Sequence, residues 1–353
     1  MNKITRFLSV HVLTLLLLLF PFSLLAQQLQ VHFIDVGQGD AILITNPPNQ
    51  AVLIDAGDKP AGNAVVNYLR QHDINKIGIL IATHPDNDHI GGMVKVIEKF
   101  PIALYLDSGI EKPTQTCRNL GLLIKDKGIR HQTTRAGQNY DLGDGVNLRI
   151  LFPSEPLVGK VKQGTVWNAN SIVVKLTYKN VSFLLPGDAE KATEERLLKE
   201  QGTGVLPSTV LKVAHHGSKY ATTQAFLDAV NPKIAVISVG EGNRYGHPAE
   251  ETLKKLKDKG IAVYRTDYNG NVIIKTDGDT LEVVVQKNQR ETTSIQSRAP
   301  PLSQSEETVY ITKTGSKYHK AGCRSLKKSC IPIGLKEAKE RGYKACSVCG
   351  SPR

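Results

Sequence analysis

Four metal-capable side chains crowd one turn of this chain, in the run His84-Pro85-Asp86-Asn87-Asp88-His89. The run before it, Ile77-Gly78-Ile79-Leu80-Ile81-Ala82-Thr83, is short, apolar and branched, and predicts a buried strand that opens into a loop. Residues 91–100, just after it, predict a helix. A strand-to-helix junction therefore presents two imidazoles and two carboxylates to one small volume. A lone histidine is usually a surface residue or a satisfied core residue. Four such groups compete for protons or repel one another, and a cation removes both conflicts.

Around this junction, residues 29–286 alternate strand-like and helix-like runs. Hairpins are expected over 30–45, around Gly37-Gln38-Gly39, and over 171–185, around Tyr178-Lys179-Asn180. Helices are expected over 64–71, 91–100, 116–127, 189–201, 222–230 and 249–259. Strands of both kinds with intervening helices fit two sheets packed face to face with helices outside. Polar residues punctuate the strand ends in a fixed order: Asp55 closes Leu53-Ile54-Asp55-Ala56-Gly57, then come Pro186-Gly187-Asp188, His215-His216-Gly217-Ser218 and Gly246-His247-Pro248.

That ordered set resembles the signature of the metallo-β-lactamase fold, in the variant where Asp86 stands for the middle histidine of H-x-[HD]-x-D-H. Phe33-Ile34-Asp35-Val36-Gly37-Gln38-Gly39-Asp40-Ala41, Asn170-Ser171 and the His215–Ser218 run are most similar to the soluble hydrolase domain at the end of ComEC/Rec2 competence proteins. No competence channel accompanies it in this sequence, so transport is not carried over.

The resemblance implies an α/β fold, the αββα sandwich, holding two divalent ions. His84 and Asp86 with a third residue would hold the first, Asp88, His89 and His247 the second, and Asp188 would bridge them. Imidazole and carboxylate without thiolate suit Zn²⁺ or Mn²⁺. The family's usual third histidine on the first ion is missing, because no histidine occurs from 132 to 214; either Asn170, His215 or His216 takes that place or the first site binds its ion weakly. Asp86 in place of histidine makes a harder ion such as Mn²⁺ more suitable there. Asp55 is expected to fix a ligand imidazole through its other nitrogen, and Asp35 and Asp40 either to do the same or to cap the glycine turn. His216, Gly217 and Ser218 favour a phosphate through imidazolium, backbone N–H and hydroxyl, unless one histidine is a ligand and the other packs behind it. Catalytic roles fall to Asp88, orienting the attacking water, and to His216 or His247 near the leaving group.

The ends of the chain carry separate signals. Lys3 and Arg6 precede an apolar stretch over 12–25, and Ala26 precedes Gln27-Gln28. This predicts a cleaved signal peptide over 1–26 and a secreted or periplasmic protein, the alternative being an uncleaved anchor. Residues 287–307, with Pro300-Pro301 and almost no large apolar side chain, predict a flexible linker. Beyond it, Cys346-Ser347-Val348-Cys349 has metal-knuckle spacing and His319 precedes Cys323 by four residues, which predicts a Cys3His zinc site in a basic domain over 308–353. That tail resembles small zinc-binding modules related to the metal-binding domain of Ada. Cys330 falls outside the pattern and keeps two disulfides open. Residues 308–353 hold eleven Lys or Arg against two Glu, a balance of +9 within a chain total of +12. Such a tail suits DNA or an anionic envelope.

The combined expectation is a secreted metal-dependent phosphodiesterase, a deoxyribonuclease in particular. The alternatives are a hydrolase of a small lactam, lactone or ester, and a non-catalytic DNA- or envelope-binding protein. No protein partner is implied.

Overall fold

The computed structural model describes residues 28–46, 50–162, 164–202, 204–287, 308–312, 315–320, 323–326 and 331–349. The expected signal peptide over 1–26, Cys330 and all of the expected linker except Lys287 lie outside them. Lys287 itself donates its N–H to the Asn269 carbonyl. The chain divides into two compact units, Met1–Thr292 and Thr293–Arg353.

The first unit is an αββα sandwich. Strands β1 (Leu29–Phe33), β2 (Ile42–Asn46), β3 (Gln50–Ile54), β4 (Ile77–Ile81), β5 (Ile102–Asp107) and β6 (Arg130–Thr133) form most of one sheet. The second sheet takes β7 (Asn139–Asp141), β8 (Val146–Phe152), β9 (Val173–Tyr178), β10 (Val181–Leu185), β11 (Val210–Lys212), β12 (Ile234–Ile237) and β13 (Ala262–Arg265). The chain then returns through β14 (Val272–Thr276) and β15 (Leu281–Val285) to the far edge of the first sheet, beside β1. Both expected hairpins form, β1 with β2 and β9 with β10.

Alternation along the strands sets the layers. Val52 and Ile54 face the space between the sheets, where Ile81, Leu148, Val174, Phe183 and Val210 join them. Ala51 and Leu53 face the other way, onto α1 (Gly62–Gln71), α3 (Met93–Lys99) and α4 (Gln115–Asp126). The second sheet is covered by α5 (Lys191–Glu200), α6 (Gln224–Val230) and α7 (Glu250–Asp258). These six match the expected helices. Two short ones were not anticipated: α2 (Asn87–Ile90), which carries Asp88 and His89 in a turn of its own, and α8 (Thr266–Asn269).

The second unit is small. Its β16 (Thr308–Ile311) pairs antiparallel with β18 (Ile331–Gly334), and β17 (Lys317–Tyr318) pairs parallel with β19 (Lys344–Ala345), with α9 (Leu335–Glu340) alongside in sequence. Among the described residues no helix is long and apolar enough to cross a membrane.

Candidate metal centre

Parallel pairing decides where the polar strand ends go. β3, β4 and β5 run parallel in one sheet and β10 to β13 in the other, so residues just past their C-terminal ends collect at one edge of each sheet. Asp55 follows β3, His84 follows β4, Asp188 follows β10, His215 and His216 follow β11, and His247 lies in the segment after β12.

One carboxylate oxygen is the focus. Asp188 Oδ2 lies 3.3 Å from His89 Nε2, 3.4 Å from His216 Nε2, 3.6 Å from His215 Nε2 and 3.9 Å from His84 Nε2. Asp88 Oδ2 is 3.4 Å from the same His216 nitrogen. Each ring is turned by its opposite face. His89 Nδ1 donates to Asp55 Oδ2 at 2.7 Å, and Asp55 is held in turn by the Thr83 N–H and hydroxyl. His216 Nδ1 donates to the Ser238 carbonyl at 2.9 Å, and His215 Nδ1 lies 2.9 Å from Glu190 Oε1. With Nδ1 of His89 and His216 occupied, their Nε2 atoms are left facing the centre, the arrangement typical of metal-ligating imidazole.

The backbone pays for this orientation. Asp55, His215 and His216 all have positive φ, at 58°, 48° and 54°. Non-glycine residues there cost on the order of 1–2 kcal/mol each, and such strain concentrates at functional sites. Gly39 is required by a close approach, since a Cβ there would fall 2.2 Å from the Asp88 carbonyl oxygen. That approach lets the Asp40 N–H bond the same carbonyl at 3.1 Å.

The carboxylates and imidazoles of the centre shift one another strongly. Burial alone would push Asp88 up, but the neighbouring His216 imidazole and the His89 charge pull it well below the usual carboxylate range. Burial likewise opposes Asp188, which His216 and His89 hold low. Burial would lower His216, yet Asp188 raises it to about 9. His84 goes the other way, lowered by burial and by His89. The Nε2 atoms of His84, His89 and His216 and Oδ1 of Asp188 are buried without a hydrogen-bond partner. Buried polar atoms are normally paired, so this convergence fits divalent ions. His84, His89 and Asp188 form one group with ligand-to-ligand distances within 4.8 Å, and Asp88, His89 and His216 another.

The remaining sequence-predicted residues separate. His247 joins neither group; its ring centre is 5.4 Å from that of His215 and 6.4 Å from that of His216. His216, expected to bind phosphate, stands where His247 was expected as a ligand. Asp86 points Oδ1 at Lys112, 2.7 Å away, and keeps Oδ2 3.9 Å from His84. Asn170 does not reach the centre: its amide clamps the backbone of Val158 and Val166. His215 keeps its Nε2 3.6 Å from Asp188 Oδ2, whereas the ring next to His84 is that of His89, 4.1 Å away between centres. Asp35 caps its turn by accepting the Gly37 N–H and touches no ligand imidazole. Ser218 is buried, its N–H goes to the His215 carbonyl, and its hydroxyl accepts the Tyr220 N–H. Gly217 serves packing, a Cβ there falling 2.5 Å from Pro248.

Sequence reasoning passed over Lys212, Glu190, Lys112 and Thr83. Lys212 is fully buried, ion-paired with Asp40, 3.7 Å from Asp188 Oδ1, and donates to the Gly187 carbonyl at 2.9 Å. Burial would lower it, but Asp40 and Asp188 hold it raised and charged. A lysine inside the apolar run Val210-Leu211-Lys212-Val213-Ala214 was the available signal, since a charge there needs a buried partner. Next to His84 and Pro85 opens a cavity of about 750 Å³, with Tyr105, Ile110, Lys112 and Leu120 on its walls.

In the second unit, His319, Cys323, Cys346 and Cys349 bring their ligand atoms within 4.8 Å of one another. Cys323 Sγ is 3.3 Å from His319 Nδ1, and the Lys320 N–H donates to Cys349 Sγ at 3.4 Å. Among the described residues, Cys117, Cys323, Cys346 and Cys349 are all free of disulfides, so the four tail residues gather as thiols and imidazole.

Residues 34–241 match the family model described as the metallo-beta-lactamase superfamily. The chain is 30% identical over 286 residues to ComE operon protein 3 of Bacillus subtilis (strain 168), an alignment covering 73% of this chain and 34% of that protein. It is 31% identical to competence protein ComA of Neisseria gonorrhoeae, over 67% of this chain and 30% of that one. With Recombination protein 2 of Haemophilus influenzae the identity is 30%, over 72% and 30%. The chain thus spans about a third of the length of these relatives.

Proposed function

The chain belongs to the metallo-beta-lactamase superfamily of metal-dependent hydrolases, and from that premise we propose that it is an exported phosphodiesterase that cleaves DNA. The observation that carries the hydrolytic reading is the single Asp188 oxygen ringed by four imidazole nitrogens. DNA as substrate is supported by relatives named for competence and recombination, and by the basic tail.

His84, Asp86 and His215 are assigned to one ion, Asp88, His89 and His216 to the other, and Asp188 to both. Zn²⁺ or Mn²⁺ suits this donor set. When bound, two such ions activate water and neutralise charge developing on the phosphoryl oxygens. The protein's own residues do the rest. Asp88, the more exposed carboxylate, accepts a proton of the attacking water and sets its direction. His247 keeps Nδ1 unpartnered at the rim of the ligand cluster and hydrogen-bonds the phosphoryl group or its leaving oxygen. Lys212 places a buried positive charge beside Asp40 and Asp188.

A second reading, hydrolysis of a small lactam, lactone or ester, draws on the largely apolar cavity beside His84, which would house an acyl group. Residues 1–26 act in the proposal as a cleaved leader, and the tail binds one structural Zn²⁺ and attaches to DNA or to an anionic envelope. The deciding experiment is metal analysis of the purified protein, followed by incubation with single- and double-stranded DNA and a panel of small esters under Zn²⁺, Mn²⁺ and Mg²⁺. Two core ions with DNA cleavage support the phosphodiesterase; ester turnover with intact DNA selects the second reading. A core without metal means a binding protein. N-terminal sequencing of the exported form tests the leader, and an intact Met1 in a membrane fraction means an anchor.

A further inference from the structure

Among the described residues of the first unit, four large apolar side chains stand exposed: Leu122, Tyr220, Tyr245 and Tyr268, the tyrosines at 41%, 54% and 46%. Exposed apolar groups scattered singly need no explanation. These three tyrosines are not scattered. β10, β11, β12 and β13 are consecutive parallel strands, so the segments after their C-terminal ends line one edge of the sheet in strand order. Asp188 follows the first, Tyr220 the second, Tyr245 the third and Tyr268 the fourth. The segments that carry the tyrosines thus follow successive neighbouring strands, counted from the one that ends at the metal centre.

Each ring carries a cation. Lys219 Nζ lies 5.2 Å from the Tyr220 ring centre, the Arg244 guanidinium 5.1 Å from that of Tyr245 and the Arg265 guanidinium 3.9 Å from that of Tyr268. Arg265 also pairs with Asp267, so the uncompensated charge belongs to Lys219 and Arg244. The rings are continuous with the site as well. Tyr245 stacks on His247 at 5.8 Å and 27°, and His247 on His216 at 6.4 Å and 30°.

We propose that this edge is a stacking track for a single-stranded polynucleotide, whose bases lie on Tyr220, Tyr245 and Tyr268 while the phosphates meet Lys219 and Arg244. Flat rings with a cation at each, leading from solvent to a hydrolytic centre, match a polymer with a π-face and a negative charge at every repeat. A duplex offers no unstacked base to the rings, so the track selects single strands. The inference rests on the phosphodiesterase reading and adds the strand form that the enzyme takes.

The test uses the full chain and a fluorescent, cleavage-resistant phosphorothioate oligothymidylate, with affinity read by anisotropy across a salt series. Tyr245→Ala and Tyr268→Ala should each weaken binding about fivefold or more, and Tyr→Phe should restore it, because the ring and not the hydroxyl stacks. The salt slope should hardly move, since no phosphate contact is removed. Core metal content and the melting temperature report that the fold is intact. If the double alanine variant binds the oligonucleotide as tightly as the parent while the parent cleaves DNA, the track is wrong and the phosphodiesterase reading stands. If the parent, fully metallated, neither binds nor cleaves DNA, both fail together. Loss of binding to phosphatidylglycerol vesicles in the variants, with oligonucleotide binding intact, would make the tyrosines a membrane contact instead.

Discussion

Asp188 has no understudy. Its Oδ2 is within 3.9 Å of four imidazole nitrogens, and Lys212 sits 3.7 Å from its other oxygen. Asp188→Ala should therefore abolish hydrolysis and lower bound metal together, read by activity and elemental analysis; full metal content with full activity would refute the bridging role. Asp55 acts one bond further out, through the Nδ1–H of His89. Asp55→Asn leaves the shape but weakens the hold on that ring, and metal affinity should drop about 10–100-fold. Titration of the metal-free protein measures it, and an unchanged affinity would mean that Asp55 serves packing alone. Asp40 and Lys212 form a different kind of pair, buried and distant in sequence. Removing either partner strands a charge away from water, which costs about 3–5 kcal/mol. Urea unfolding of Lys212→Met should show a loss of that order, and Asp40→Ala should cost stability in the same way while affecting turnover less than Asp188→Ala.

Among the elements, the start of α6 depends on a residue of α5. Glu194 is fully buried and accepts the N–H groups of Thr222 at 2.5 Å and Thr223 at 2.8 Å. Burial raises its pKa from 4.5 to about 7, against the pull of those hydrogen bonds. An acid with a raised folded-state pKa favours folding when protonated, so its contribution is complete below about 4.5 and fades as pH rises through about 7. The shift corresponds to about 3 kcal/mol. The stability of the parent minus that of Glu194→Gln should fall by this order between pH 4.5 and just above 7; a difference independent of pH would rule the mechanism out. The six long helices and both hairpins could be read from the sequence because period and turn chemistry are local. The strand-end motifs were legible for the same reason. What escaped depends on approach through space. Lys212 meets Asp40 from another sheet, and Asn170 is drawn off by a neighbouring loop. His216 reaches the centre from two successive left-handed residues, His215 and His216, a backbone state that residue types alone do not announce.

At the scale of the whole molecule, two units divide size and charge unequally. The first buries three large apolar clusters, whereas the second has Val309, Ile311, Tyr318, Ile333 and Ala338 as its main one. So small a core rarely holds a fold alone, and the cluster of His319, Cys323, Cys346 and Cys349 supplies a staple if zinc fills it. Stripping zinc with a chelator should unfold the tail. The sandwich owes its stability to apolar burial and should stay folded, giving loss of only the tail resonances in an NMR spectrum. Most of the chain's positive balance lies in that tail, so its contribution to DNA binding should be electrostatic. Comparing the full chain with one ending at residue 307, affinity for long DNA should fall and its dependence on salt should flatten, because fewer phosphate contacts release fewer counterions. The tyrosine track predicts the opposite signature, a loss of affinity at constant slope, so the two binding elements can be told apart in one titration. Equal affinities and equal slopes with and without residues 308–353 would remove DNA from the tail's role and leave attachment to an anionic envelope.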